Sequence, residues 1–199
     1  MSETTETRSV TELIAAHREG DDAAFEQLVG RLYGDLRRIA HFQRARLAAG
    51  ETLRTTALVH EAFVKIAQQN GARWEGRSHF LAVLGRAMRH VLVDDARRRL
   101  SAKGGGGRRP ETLDDNLCQD PRQAARIVEV DDALHRLRDL DERLCQVVEY
   151  RFFAGLTRDE TALALGRSPR TVHRDWLRAK AWLRKLLGDS PAAELPSHG

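Results

Sequence analysis

The stretch SAKGGGGRRPETLDDNLCQDPRQA, residues 101 to 124, divides the chain. Its four consecutive glycines and two prolines leave too little apolar material to pack, which predicts a flexible linker. On either side proline is scarce, strand-like alternation is absent and apolar residues recur at helical spacing. The fold class expected is therefore all-α, two small helical bundles joined by a flexible linker. The bounds drawn are an N-terminal bundle over residues 1–100, a linker over 101–125, a C-terminal bundle over 126–188 and a disordered tail over 189–199.

Within the first bundle, Ser9 or Thr11 opens a short helix through His17, and GDD at 20 to 22 caps a long one whose face carries Phe25, Leu28, Val29, Leu32, Leu36 and Ile39. A third helix runs from Thr55 to Gln68 with Leu58, Val59, Ala62, Phe63 and Ile66 as its stripe. After the loop QQNGARWEGRS, a fourth spans about His79 to Arg99, buried through Phe80, Leu84, Ala87, Met88 and Val91. Beyond the linker, Ile127 to Leu137 and Asp141 to Phe153 give two more helices.

The last two elements carry the strongest functional signal. In LTRDETALALG, Thr157 stands three residues before Glu160, the capping-box spacing, and a short helix follows that Gly166 closes. Then comes SPRTVHRDWLRAKAWLRKLL, where Ser168 can cap free backbone N–H groups and Pro169 suits the first helical position. Val172, Trp176, Ala179, Leu183 and Leu186 fall on one stripe of this helix, while Arg170, His173, Arg174 and Arg178 lie nearly opposite. Residues 126 to 166 hold six basic and nine acidic residues, whereas 167 to 187 hold seven basic residues and one acid, Asp175. That imbalance points to a polyanionic partner. A short helix, a tight turn and a basic second helix make a helix-turn-helix, whose second helix reads bases near its N-terminus in the DNA major groove. Arg167, Ser168, Arg170, Thr171, His173, Arg174 and Arg178 are the DNA-contacting candidates. Arg178, Lys180, Arg184 and Lys185 lie further along, where phosphate contact is expected. The bland alternative is a basic solvent face in an ordinary helical bundle.

Other chemistry finds little support. His60-Glu61 would need a second histidine at position 64 to bind zinc, and that position is Val64. GGGGRRP lacks the ending of a phosphate-binding loop and follows no strand. Acid pairs such as Asp94-Asp95 and Asp131-Asp132 are adjacent in helices, where neighbours point apart. No enzyme activity, cofactor or metal is expected. Cys118 and Cys145 make no disulfide framework, MSETTETRSV has no apolar signal core, and no stretch approaches the roughly 20 apolar residues that span a bilayer, so a soluble cytoplasmic protein is expected.

Three segments together resemble the small extracytoplasmic-function (ECF) group of bacterial RNA polymerase sigma factors, over about residues 9 to 187. TALVHEAFVKI at 56 to 66 is similar to that family's polymerase-binding helix, and WEGRSHFLAVLGRAMRHVLVDDARRR at 74 to 99 to its promoter-melting, −10 reading segment. VVEYRFFAGLTRDETALALGRSPRTVHRDWLRAKAWLRKLL is similar to its −35 reading domain and is the most specific of the three. The resemblance implies two partners, core RNA polymerase and promoter DNA, with an anti-sigma protein or a Ser/Thr kinase as candidate regulators. It puts Leu58, Val59, Glu61, Phe63 and Lys65 on or near the polymerase-docking surface, with Leu58, Val59 and Phe63 as simple core residues in the alternative. It implies that Trp74 offers a platform for a flipped base, and that Arg77, Arg86, Arg89, His90 and Arg97 serve the −10 strand. A core role for Trp74 is the other reading.

The chain departs from the family where acids commonly precede Leu58: here stand Arg54, Thr56 and Ala57. Phosphorylation of Thr55 or Thr56 would restore about −1.5 to −2 of charge. The simpler alternative is that both threonines cap the helix. Two other functions compete with a sigma factor: a conventional helix-turn-helix regulator with a dimerising or sensing N-terminal bundle, and an adaptor that binds proteins through both bundles.

Overall fold

The computed structural model describes residues 8–47, 53–68, 74–102 and 121–188. Every regular element among them is helical: α1 (Val10–Arg18), α2 (Asp22–Leu47), α3 (Leu53–Ala67), α4 (Arg77–Ala102), α5 (Pro121–Leu140), α6 (Glu142–Val148), a π-helical turn (Glu149–Phe153), α7 (Arg158–Ala164) and α8 (Pro169–Leu187).

The starts of these helices follow from local chemistry. Ser9 and Glu12 form a capping box at α1, and Thr157 and Glu160 form one at α7. Asp141 accepts from the Arg143 N–H at 3.1 Å to open α6, and Ser168 accepts from the Thr171 N–H at 3.2 Å to open α8. Gly166, just after α7, takes φ +61°, a left-handed value that costs glycine little.

Helix bounds differ from the sequence reading in three places. α3 begins at Leu53, so Thr55 is not a cap; it lies inside the helix, 3% exposed, and its hydroxyl accepts from Arg44 Nη1 of α2 at 3.2 Å. α4 runs on to Ala102 and α5 begins at Pro121, both within the expected linker. Proline needs no N–H partner in a first helical turn, and Ala124 is fully buried, which draws this turn onto the fold. The glycine run and Cys118 lie outside the described residues, as does the tail from 189. Third, the helix expected over Asp141 to Phe153 ends as α6 at Val148 and continues as the π-helical turn.

The larger difference is in packing. A helix that serves only one bundle buries one stripe. α4 instead buries Phe80, Leu84 and Met88 on one side and Leu81, Gly85, Arg89 and Leu92 elsewhere around its girth. It stands between α1–α3 and the C-terminal helices, so the two units expected to be loosely tethered are packed together along α4, α5 and the π-helical turn. Gly85 permits the approach: a Cβ there would sit 3.0 Å from the Phe153 carbonyl oxygen. Gln43 of α2 ties the seam, donating through Nε2 to the carbonyls of Gly85 at 2.8 Å and Phe153 at 2.9 Å.

Gly85→Leu should therefore push the units apart, since overpacking a close contact costs about 1–3 kcal/mol. Leucine is the better helix former, so helix content should hold by circular dichroism while the radius of gyration from small-angle scattering rises. An unchanged radius would show that the seam tolerates the side chain.

Candidate nucleic-acid interface

α8 buries Val172, Trp176, Ala179 and Leu183, with Leu186 partly buried against the same core. Ser168, Arg170, His173, Arg174 and Arg178 are exposed, Thr171 and Arg167 half-buried. The expected division of the helix into a packing face and a basic outer face is what the structure has. Arg174 is 66% exposed and not covered by the other unit.

One residue of this region entered the sequence reading only as the lone acid of the basic stretch, with no role attached. Asp175 is fully buried on the packing side, and four guanidiniums surround its carboxylate: Arg143 at 3.3 Å, Arg167 at 3.8 Å, Arg174 at 3.9 Å and Arg178 at 4.0 Å. Arg143 comes from α6, 32 positions away, which no periodicity in the sequence could reveal. A lone acid on the apolar stripe of a basic helix was the available signal. Cations also lie over the indoles: Arg151 is 5.1 Å from the Trp176 ring centre and Lys185 is 5.2 Å from that of Trp182.

The residues assigned to the −10 strand sit differently from expectation. Trp74 is 2% exposed and belongs to the first core. It stacks on His17 at 4.7 Å and Phe25 at 5.3 Å and meets Phe80 edge-on at 5.0 Å. In this arrangement it offers no ring face to a base, because burying an aromatic of that size is worth more than exposing it.

All four arginines of that set meet acids of the C-terminal unit. Arg77 pairs with Asp35 at 2.5 Å and with Glu160 of α7 at 3.5 Å. Arg86 pairs with Glu149 at 3.2 Å, and Arg97 with Asp131 at 3.1 Å and Asp132 at 3.4 Å. Arg89 is 2% exposed, hydrogen-bonded to Asp131, 3.5 Å from Glu149 and 5.3 Å from the Phe153 ring centre. Asp131, Asp132 and His135 come close enough together to share a cation, but Arg89 and Arg97 already occupy the two carboxylates.

On α3, Leu58 and Val59 are core, and Phe63 stacks on Phe25 at 5.0 Å. Glu61 is half-buried, and Lys65 reaches Asp94 of α4 at 2.6 Å. Thr56 is exposed beside the buried Thr55. Thr55 also lines a cleft of about 310 Å³ with Gly34, Arg37, Arg38 and His41.

Among the described residues every regular element is helical, and α8 turns a capped, strongly basic face outward. The ECF sigma factor family model matches residues 7–189, and the chain belongs to that family, whose members act in transcription initiation. No curated protein matches the chain. Among solved structures it is similar to CnrH in complex with the cytosolic domain of CnrY, at 23% identity and a TM-score of 0.38, with 89% of this chain and 97% of that chain covered. No helix among the described residues is long and apolar enough to cross a membrane.

His90 reports on the seam. Burial, and then the neighbouring Arg89, pushes its pKa down to about 4, against an ordinary value of about 6.5. Between these values the unfolded chain binds a proton that the folded chain refuses, so this histidine's share of stability is full above about pH 6.5 and is lost as the pH falls. Urea midpoints should drop more steeply from pH 6.5 towards 4 for the native chain than for His90→Gln. Parallel pH profiles would show that His90 titrates alike in both states.

Proposed function

We propose that this protein binds core RNA polymerase and directs it to promoters, with α8 reading the −35 element and the α3–α4 region docking on polymerase and holding the melted −10 strand. The supporting observation is the outer face of α8, where Arg170, His173, Arg174 and Arg178 stand exposed behind a Ser168 cap. Such a face gives base edges to the first turn and phosphates to the arginines beyond it. On α3 the polymerase-facing candidates reduce to Glu61, Lys65 and the partly buried Phe63, since Leu58 and Val59 are spent on the core. Strand opening would be driven by binding energy, with no catalysis by this chain, and the setting would be the cytoplasm.

The reading carries a conformational requirement. Arg77, Arg86, Arg89 and Arg97 cannot hold a strand's phosphates while Glu160, Glu149, Asp131 and Asp132 occupy them. The C-terminal unit must move off α4 when polymerase and promoter bind, exchanging carboxylates for phosphates on the same guanidiniums. Trp74 belongs to the first core in this arrangement, so a captured base would need another platform or a rearranged Trp74.

For regulation, Thr56 is the residue accessible to a Ser/Thr kinase, and Thr55 drops out because its hydroxyl is buried against Arg44. A phosphate on Thr56 would supply the negative charge that this family's acids commonly bring at the same place. An anti-sigma protein is the other candidate regulator.

Two experiments test these statements. The purified chain mixed with core polymerase should co-elute with it and support run-off transcription from promoters of its own genome. Duplex binding by the chain alone, as a dimer without polymerase, would instead mark a conventional regulator. In cells, Thr56→Ala should abolish promoter activation and Thr56→Asp should restore part of it; full activity of the alanine chain would remove the phosphate from the account.

A further inference from the structure

Asp175 lies three residues after Val172 and four before Ala179, a place on the packed stripe where an apolar side chain would cost nothing to bury. A carboxylate there must be compensated, and the side chains that compensate it are not other core groups but the arginines at the edge of the DNA-facing surface. Arg143 donates to Oδ1 at 3.3 Å, while Arg167 approaches Oδ2 at 3.8 Å. Arg174 and Arg178 approach Oδ1 at 3.9 and 4.0 Å, and Arg178 is also 3.8 Å from Asp141, the cap of α6. Arg143, Arg174 and Arg178 remain about half exposed or more, so each keeps N–H groups turned to solvent. An arginine loses much side-chain freedom when it binds a phosphate or a base. Arg143, hydrogen-bonded to the buried anion, has lost part of it beforehand, and the same charge lying within 4.0 Å of Arg167, Arg174 and Arg178 relieves the mutual repulsion of all four.

We propose that Asp175 is a positioning residue of the DNA-reading surface, and that it recruits Arg143 of α6 as a phosphate-contacting residue beside Arg167, Arg174 and Arg178. The inference rests on the reading of α8 as the DNA-contacting helix and adds a second helix to that surface. Its signature has opposite signs in two measurements. Replacing Asp175 by asparagine keeps the shape but removes a negative charge, so sequence-independent attraction to DNA rises while the ordered presentation of the guanidiniums is lost. An acid that served folding alone would not split the two.

The test uses the full chain bound to core polymerase. Duplexes are enriched from a randomised pool with the native complex, and affinities for an enriched and a scrambled duplex are then compared across a salt series. Asp175→Asn should bind the scrambled duplex at least as well as the native chain does, yet lose about tenfold or more of the preference for the enriched one, the size of one good base contact. Asp175→Glu should recover part of that preference. Arg143→Ala should weaken both duplexes by the same factor and lower the salt slope by about one. Full discrimination by Asp175→Asn, or a fall in both affinities that tracks lost helix content, would overturn the positioning role, and an unchanged salt slope for Arg143→Ala would overturn the phosphate contact. If the native complex enriches no sequence, the reading of α8 falls and this inference falls with it.

Discussion

The guanidinium of Arg89, sealed between Asp131 and Glu149, is the interaction that the rest of the arrangement depends on. A charge this deeply buried is tolerable only with acids at hand, and removing one partner of such a pair costs about 3–5 kcal/mol. One acid comes from α5 and the other from the π-helical turn, so satisfying Arg89 brings both onto α4. Burial alone would lower the guanidinium's pKa, and the two carboxylates oppose that. The extra residue of the π-helical turn places Glu149 and Phe153 against α4 at the one point where Gly85 lets backbone meet backbone.

Charge is sorted along the chain in a way that this seam makes intelligible. Asp131, Asp132, Glu149 and Glu160 face arginines of α4, and Arg170, Arg174, Arg178, Arg184 and Lys185 face solvent. Carboxylates and phosphates satisfy a guanidinium through the same paired N–H geometry. A surface that holds one can hold the other, and in this arrangement those arginines are paired rather than bare. Asp175 repeats the device at smaller scale, a buried anion behind an exposed cationic face.

Much of the protein was legible in its sequence. Ser9, Thr157 and Ser168 announce their helices through short-range hydrogen bonds to N–H groups a few residues on, so residue order alone specifies them. The two faces of α8 follow from 3.6-residue spacing for the same reason. The candidate DNA-reading residues at its start lie outside, as spacing implied, whereas Trp74 and Thr55 are inside. Spacing says which residues share a face but not whether a second body covers that face.

What residue order determined here was local: the helical class, the caps, the basic outer stripe and the resemblance carried by contiguous motifs. Tertiary structure alone decided that the two bundles pack together, that the arginines of α4 meet acids 34 to 83 positions further along, and that Asp175 draws in Arg143 from another helix. Such pairings depend on burial and on complementary charge between elements remote in the chain. The energy that selects them, a desolvated charge seeking its partner, has no period to read.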